Sequence, residues 1–253
     1  MMEDECLFLK KRFAELADRC LTERRYCYSD FLSLYGLSIF HEMEHELTFA
    51  EPEVFGGCDA CERRMIRFGS EEICGYSEEY PVRILEVRPA MAKYARKMSH
   101  RDFLGSVIGL GLEREKIGDI FVRNNEASIF VHEGVAGYIV GNLEYVGRTK
   151  VKVSEISSVP EGLMPVLTER SVLAGSNRID AVIARLYGLS RDEAAGLVKN
   201  GCVFFDGRMI SKSSAAILPG RVVSVRGHGR FVFDGEGGRT RKDKIHLNLR
   251  VYE

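Results

Sequence analysis

Asn177-Arg178-Ile179-Asp180, Leu189-Ser190-Arg191, Val198-Lys199-Asn200-Gly201, Val203-Phe204-Phe205-Asp206-Gly207 and Leu218-Pro219-Gly220-Arg221-Val222 follow one another between residues 177 and 226. Ile179, Val182, Ile183 and Leu186 recur at helical spacing. Ala194, Leu197 and Val198 do so again after Ser190, whose hydroxyl forms a capping box with Glu193. Two short amphipathic helices are expected. The apolar run Cys202 to Phe205 ends in Asp206-Gly207, and Val222, Val223 and Val225 follow the Pro219-Gly220 turn, so two short strands should bracket a polar loop. The polar faces carry Arg178, Arg185, Arg191, Lys199, Arg208, Lys212, Arg221 and Arg226. Cations held on short rigid helices suit a phosphate backbone better than a flexible charge run does. Asp180, two residues from Arg178, is placed to orient an arginine or to accept from a 2′-hydroxyl. The candidate RNA-binding set is therefore Asn177, Arg178, Asp180, Arg185, Ser190, Arg191, Lys199, Asn200, Lys212 and Arg221.

This ordered pattern resembles the αL-type RNA-binding module, first described in the fourth small-subunit ribosomal protein and shared by pseudouridine synthases, tyrosyl-tRNA synthetases and a ribosome-bound heat-shock protein. Two departures are visible: the usual Gly-Asp turn is Gly220-Arg221, and the usual Asn-Gly of the strand turn is Asp206-Gly207. Both keep residue types that suit a turn. A second stretch, Ser99-His100-Arg101-Asp102-Phe103-Leu104-Gly105 followed by Gly109 to Ile120, is similar to the YlmH family of bacterial RNA-binding proteins, in which the module lies at the C-terminal end. By that resemblance the expected partners are ribosomal RNA and tRNA of a stalled large ribosomal subunit, in ribosome-associated quality control. The expected protein is cytoplasmic, monomeric and non-catalytic. A link of the family to cell division has no counterpart in these residues.

The chain has 253 residues and a net charge of −1. That near-neutral value hides a gradient: residues 1–80 sum to −9, residues 81–160 to +3 and residues 161–253 to +5. Nucleic acid is therefore expected to meet the later two thirds. No stretch approaches the ~20 apolar residues that span a bilayer. Seven cysteines, without regular spacing, fit reduced thiols.

An α+β chain of three parts is expected. Residues 1–80 form an acidic mixed α/β domain, with helices from Asp4 to about Cys20 and between Ser29 and His45. Residues 81–156 show strand Val82 to Val87, helix Ser99 to Leu110, strands Ile117 to Val122 and Ser128 to Val131, helix Glu133 to Leu143 and strand Lys150 to Glu155. That order is β-α-β-β-α-β, the ferredoxin-like arrangement used by RNA-recognition domains. After a linker from Ser157 to Pro165, residues 166–253 hold the αL-type module and a β-hairpin tail, Phe231 to Phe233 and Ile245 to Val251, joined by a connection from Gly235 to Lys244 with a basic tip.

Rival chemistry is sparse. His41-Glu42-Met43-Glu44-His45 spells the His-Glu-x-x-His of zinc metallopeptidases, the alternative class, but no third ligand accompanies it, and an exposed acidic helix end explains it as well. Cys58-Asp59-Ala60-Cys61 lacks the second pair of a zinc ribbon and the preceding strand of a redox motif. Gly105, Gly109, Gly111 and Gly118 spell no nucleotide loop. No catalytic residues, metal or cofactor are expected.

Overall fold

A computed structural model describes residues 2–240 and 244–252; Arg241, Lys242 and Asp243 of the expected basic tip lie outside the described residues. The chain is of the α+β class and divides into two compact units, Met1–Met164 and Pro165–Glu253.

In the first unit α1 (Met2–Glu23) and α2 (Leu34–Met43) pack on a small sheet of β1 (Cys27–Tyr28), β2 (Glu53–Phe55) and β3 (Met65–Phe68), followed by the short α3 (Glu71–Cys74). The second helix begins later than its apolar spacing predicts, because Ser29 to Leu32 bond to the β3 segment of the same chain instead: Ser29 N–H donates to Ile66 O and Leu32 N–H to Arg64 O. Ser33 then caps α2 by accepting from Gly36 N–H. Phe13, Leu16, Leu37, Phe40, Ile66 and Phe68 fill this core.

A second sheet follows in the same unit, from β4 (Val82–Pro89), β5 (Ile117–Arg123), β6 (Glu126–His132), β7 (Tyr145–Val146) and β8 (Thr149–Ile156), with α4 (His100–Ile108) and α5 (Glu133–Asn142) between strands. Its order is β5-β6-β4-β8-β7, with antiparallel neighbours. Alternation sorts the side chains by face. Leu85, Val87, Ile129, Val131 and Val151 point to the helices and join Phe103, Val107 and Ile139 in a core. Ser99 and Asp102 form a capping box at the start of α4.

The opposite face of this sheet is covered at one end. Phe130 and Ile84 meet Phe31, Cys61 and Met65 from the first 80 residues. Gly57, at φ +107°, lies so close to the Phe130 ring that a side chain there would collide with it, and a β-carbon on Gly118 would stand 2.8 Å from Phe31. Asp119 accepts from the Glu62 and Arg63 amides, while Arg63 donates to Ile117 O and Phe31 O. Lys116 pairs with Asp30. The division read from sequence near residue 80 thus falls inside one compact unit. Part of the expected linker is packed too, with Val159 against the Phe130 cluster and Leu163 buried.

One prediction arises here. A fragment starting at residue 81 strips the cover from Phe130 and Ile84 and is expected to aggregate or melt without cooperativity. A fragment starting at Pro165 keeps its core whole and should show one cooperative transition by circular dichroism. Cooperative melting of the residue 81–164 fragment would refute the shared core.

The second unit contains β9 (Leu167–Ala174), α6 (Ile179–Tyr187), α7 (Arg191–Lys199), β10 (Val203–Phe205), β11 (Arg208–Met209), β12 (Val222–Val225), β13 (Gly229–Arg239) and β14 (Ile245–Tyr252). The strands form one sheet in the order β11-β10-β12-β13-β14-β9. β13 and β14 pair antiparallel where the tail hairpin is expected, but β13 continues to Arg239 through residues read as connection, because Gly235, Glu236 and Arg239 pair with Asn248, Leu247 and Ile245; β9 extends the pair from the far edge, from Leu167 opposite Tyr252 to Ala174 opposite Ile245. Ile179, Val182, Ile183 and Val198 bury against Phe231, Phe233, Leu247 and Leu249. Asp206 and Gly207 both have positive φ, 46° and 80°, as a tight two-residue hairpin turn requires.

Candidate nucleic-acid interface

The two module helices are held at a fixed junction. α6 ends at Gly188, left-handed at φ +68°, and α7 starts two residues later with Ser190 accepting from Glu193 N–H while Glu193 accepts from Ser190 N–H. The loop before β12 crosses the open end of α6. Ile179 N–H donates to Ala215 O at 2.8 Å and Asp180 N–H to Ser213 O at 3.3 Å, which supplies partners for two amides that a helix leaves unpaired. Asn177 belongs to this clamp: its side-chain amide donates to Ile217 O, and its carbonyl accepts from Ile217 N–H.

Within that frame sits an Arg-Asp-Arg cluster. Asp180 is only 4% exposed. Its carboxylate accepts from Arg178 Nε at 3.2 Å and Nη2 at 2.9 Å, and from Arg191 Nη2 at 2.9 Å. Burial raises the Asp180 carboxyl, but hydrogen bonds from Arg178 and then Arg191 outweigh it and hold the group below its ordinary value. The arginine side chains remain 43% and 51% exposed. One buried anion thus aims two guanidiniums, from the starts of two helices, toward solvent, with donors to spare on each. Each guanidinium has N–H groups left to donate to phosphate oxygens.

The other expected site residues distribute around this cluster. Arg185, Ser190 and Arg191 line one shallow cleft with Ala181, Ala184 and Leu189, of about 280 Å³. Lys199 and Asn200 lie exposed at the end of α7, where Asn200 is the C-cap, and Lys212 is exposed on the clamping loop. Arg221 is engaged elsewhere in the fold, pairing with Asp206, whose carboxylate also accepts from Val222 N–H at 2.8 Å. Asn177 and Arg221 are thus braced within the fold, whereas Arg178, Asp180, Arg185, Ser190 and Arg191 are brought together. Arg230, stacked on Tyr252 at 3.8 Å from the ring centre, was not singled out from sequence. Its partner is a strand away in the fold, and no local spacing announces the pair.

The rival motifs have local partners. α2 stops at Met43, so His41 is helical and His45 lies in the 3-10 turn Glu44–Glu46, which breaks the helical spacing a His-Glu-x-x-His site needs. His41 pairs with Glu44, His45 with Glu46, and Glu42 with Lys10. Cys58 and Cys61 sulfurs are 3.5 Å apart, and the hydrogen bond from Cys61 lowers the Cys58 thiol to about 7 against the effect of burial. Among the described residues no group of three or more His, Cys, Asp or Glu is arranged to hold a metal ion. No helix among them is long and apolar enough to cross a membrane.

Comparison with known proteins places these features in a family. Residues 76–159 match the family described as "Putative RNA-binding domain in YlmH". The chain is 31% identical over 198 residues to the ribosome-associated protein quality control protein P2 of Bacillus subtilis (strain 168), a match spanning 77% of this chain and 75% of that protein. Among solved structures, the cell division protein ylmH from Streptococcus pneumoniae aligns at 16% identity with a TM-score of 0.47, over 60% of this chain and 91% of that one. With a relative matched over three quarters of both lengths and the family's own domain recognised at residues 76–159, this chain belongs to the YlmH family.

Proposed function

We propose that this protein is a non-catalytic RNA-binding protein of the ribosome, which holds structured ribosomal RNA and tRNA on the large subunit during quality control of stalled peptidyl-tRNA. The observation that carries the RNA-binding part is the Arg178-Asp180-Arg191 cluster, in which a buried carboxylate fixes two half-exposed guanidiniums on a rigid two-helix frame. Such a frame places donors for backbone phosphates without reading base edges. Its relative in Bacillus subtilis, named for ribosome-associated protein quality control, supports the ribosomal setting. The choice of the large subunit and tRNA rests on the resemblance of residues 177–226 to the αL-type module. Arg185, Ser190, Lys199, Asn200 and Lys212 extend the proposed contact surface around the cluster. Residues 1–80, at net −9, would repel RNA that does not present a matching site.

Sedimentation of tagged protein through a ribosome gradient, followed by sequencing of cross-linked RNA, tests this. Co-migration with large subunits and cross-links to ribosomal RNA and tRNA are expected. Protein that stays at the top of the gradient at low salt, with no RNA cross-linked, would refute it.

A further inference from the structure

The second sheet of the first unit shows what its covered face leaves open. Across β5, β6, β4 and β8 the side chains on that face form three rows. The first row holds Phe130 opposite Ile84 and lies under the Phe31 cluster. The middle row runs Phe121, Ser128, Glu86 and Ser154. The last row runs Arg123, Glu126, Arg88 and Lys152, and its three cations are exposed. Glu86 and Glu126 share Arg88 as their partner, which leaves Arg123 and Lys152 as the cations of this row outside that pairing. Of the aromatic side chains on this face, Phe130 is fully buried and Phe121 is packed edge-on against its ring.

A strap compensates at the open end. Residues 90–98 leave β4 and run over the end of the sheet. They are pinned at three points: Ala90 N–H donates to Lys150 O at 2.8 Å, Arg96 N–H to Thr149 Oγ1 at 3.3 Å and Met98 N–H to Asn125 Oδ1 at 2.8 Å. Between the pins Met91 and Tyr94 are 67% and 72% exposed, an unusual placement for such side chains. Lys93, Arg96 and Lys97 are exposed beside them; on β8 Lys150, whose carbonyl accepts from Ala90 N–H, and Lys152, opposite Arg88, are exposed as well. Lys93 sits over the Tyr94 ring at 5.8 Å. Exposed ring, thioether and clustered cations on a pinned backbone combine the two elements of single-strand recognition, a stacking surface and a backbone-tracking charge field.

We propose that this strap and the basic row beside it form a second RNA site that takes an unpaired segment, one base stacking on Tyr94 while Lys93, Arg96, Lys97, Lys150 and Lys152 meet its phosphates. The inference rests on the RNA-binding reading above and adds to it the class of ligand: a loop or single strand here, structured RNA at the Arg178-Asp180-Arg191 cluster. Stacking is tolerant of sequence, so the site would confer a preference for unpaired over paired RNA and little base preference. Two linked sites also raise avidity only on a target that presents both.

The test uses the full-length protein with a fluorescent, unstructured uridine-rich oligoribonucleotide and a blunt RNA duplex. Tyr94→Ala is expected to weaken binding of the unpaired RNA about tenfold, the loss of one stacked base, and to change duplex binding less than about twofold. Tyr94→Phe should bind as the parent does. The combined Lys93→Gln, Arg96→Gln, Lys97→Gln protein should weaken unpaired RNA binding and reduce the slope of log affinity against log salt by about two, at ~0.7 per lost phosphate contact. All of these positions are exposed, so unchanged circular dichroism is expected throughout. Unpaired RNA bound equally by the parent and by Tyr94→Ala, with Arg191→Ala impaired, would overturn the strap site and leave the proposed function standing. A parent protein that binds neither RNA would overturn both. A polyglutamate peptide bound as tightly as the oligoribonucleotide, and lost in the same variants, would assign the strap to a protein partner and overturn the proposal.

Discussion

Replacing Arg178 and Arg191 together by alanine is expected to lower both RNA binding and stability, by separable routes. Each lost phosphate contact should cost roughly 1 kcal/mol or more and flatten the salt dependence by about one unit of slope; with Lys199→Ala added the loss reaches on the order of a hundredfold. From sequence these three are surface positions whose loss leaves folding nearly unchanged. The structure corrects that for two of them, because Arg178 and Arg191 hold the buried Asp180 carboxylate. Without them a buried anion stands alone, and a cost of about 2 kcal/mol follows, below the full penalty for a broken buried pair because both arginines are half exposed. The pH dependence has a defined sign. Asp180 titrates below its ordinary value of 3.8 when folded, so the stabilisation it gains is complete above about pH 3.8 and is lost as pH falls through the lower folded value. Adding Asp180→Leu to the double variant removes the stranded charge and should recover much of the stability without restoring RNA binding. Urea unfolding and RNA titration at several salt concentrations measure both. Full RNA affinity in the Arg178→Ala, Arg191→Ala protein would remove this cluster from the interface.

Phe130→Ala should produce the largest loss of stability, about 4 kcal/mol, as expected for deleting a fully buried ring where Gly57 and Phe31 are closely apposed. The loss should not be confined to the second sheet. Phe130 touches Phe31, Cys61 and Met65, and Asp119 anchors the Glu62 and Arg63 amides, so residues on both sides of position 80 share its fate. Hydrogen exchange in the variant is therefore expected to accelerate together in β3 and β6, while α6, β13 and β14, which belong to the other compact unit, keep their protection. Acceleration in β6 with β3 unchanged would show that the two sheets are energetically independent.

Several features were legible because their causes are local. The β-α-β-β-α-β order of residues 82–156 follows from alternating and helical apolar spacings, and strands and helices occur within a few residues of the expected bounds. The Ser190 capping box and the Asp206-Gly207 turn depend on residues three or fewer positions apart. Asp180 beside Arg178 was readable for the same reason; that Arg191 joins them, and that Asn177 and Arg221 serve as braces, was not.

The amino-acid sequence by itself determined most helices and strands and the charge gradient, since propensity, capping and periodicity act over a turn or two of chain. Tertiary structure alone decided the rest. β9 exists because β14 offers it eight paired positions, from Leu167 to Ala174, although its own residues show no clean alternation. The covering of Phe130, which closes one half of a sheet face and leaves Arg88, Arg123 and Lys152 exposed on the other, depends on contacts across more than sixty residues of chain. Such pairings are set by which apolar surfaces find each other in the compact state, and no local spacing encodes them.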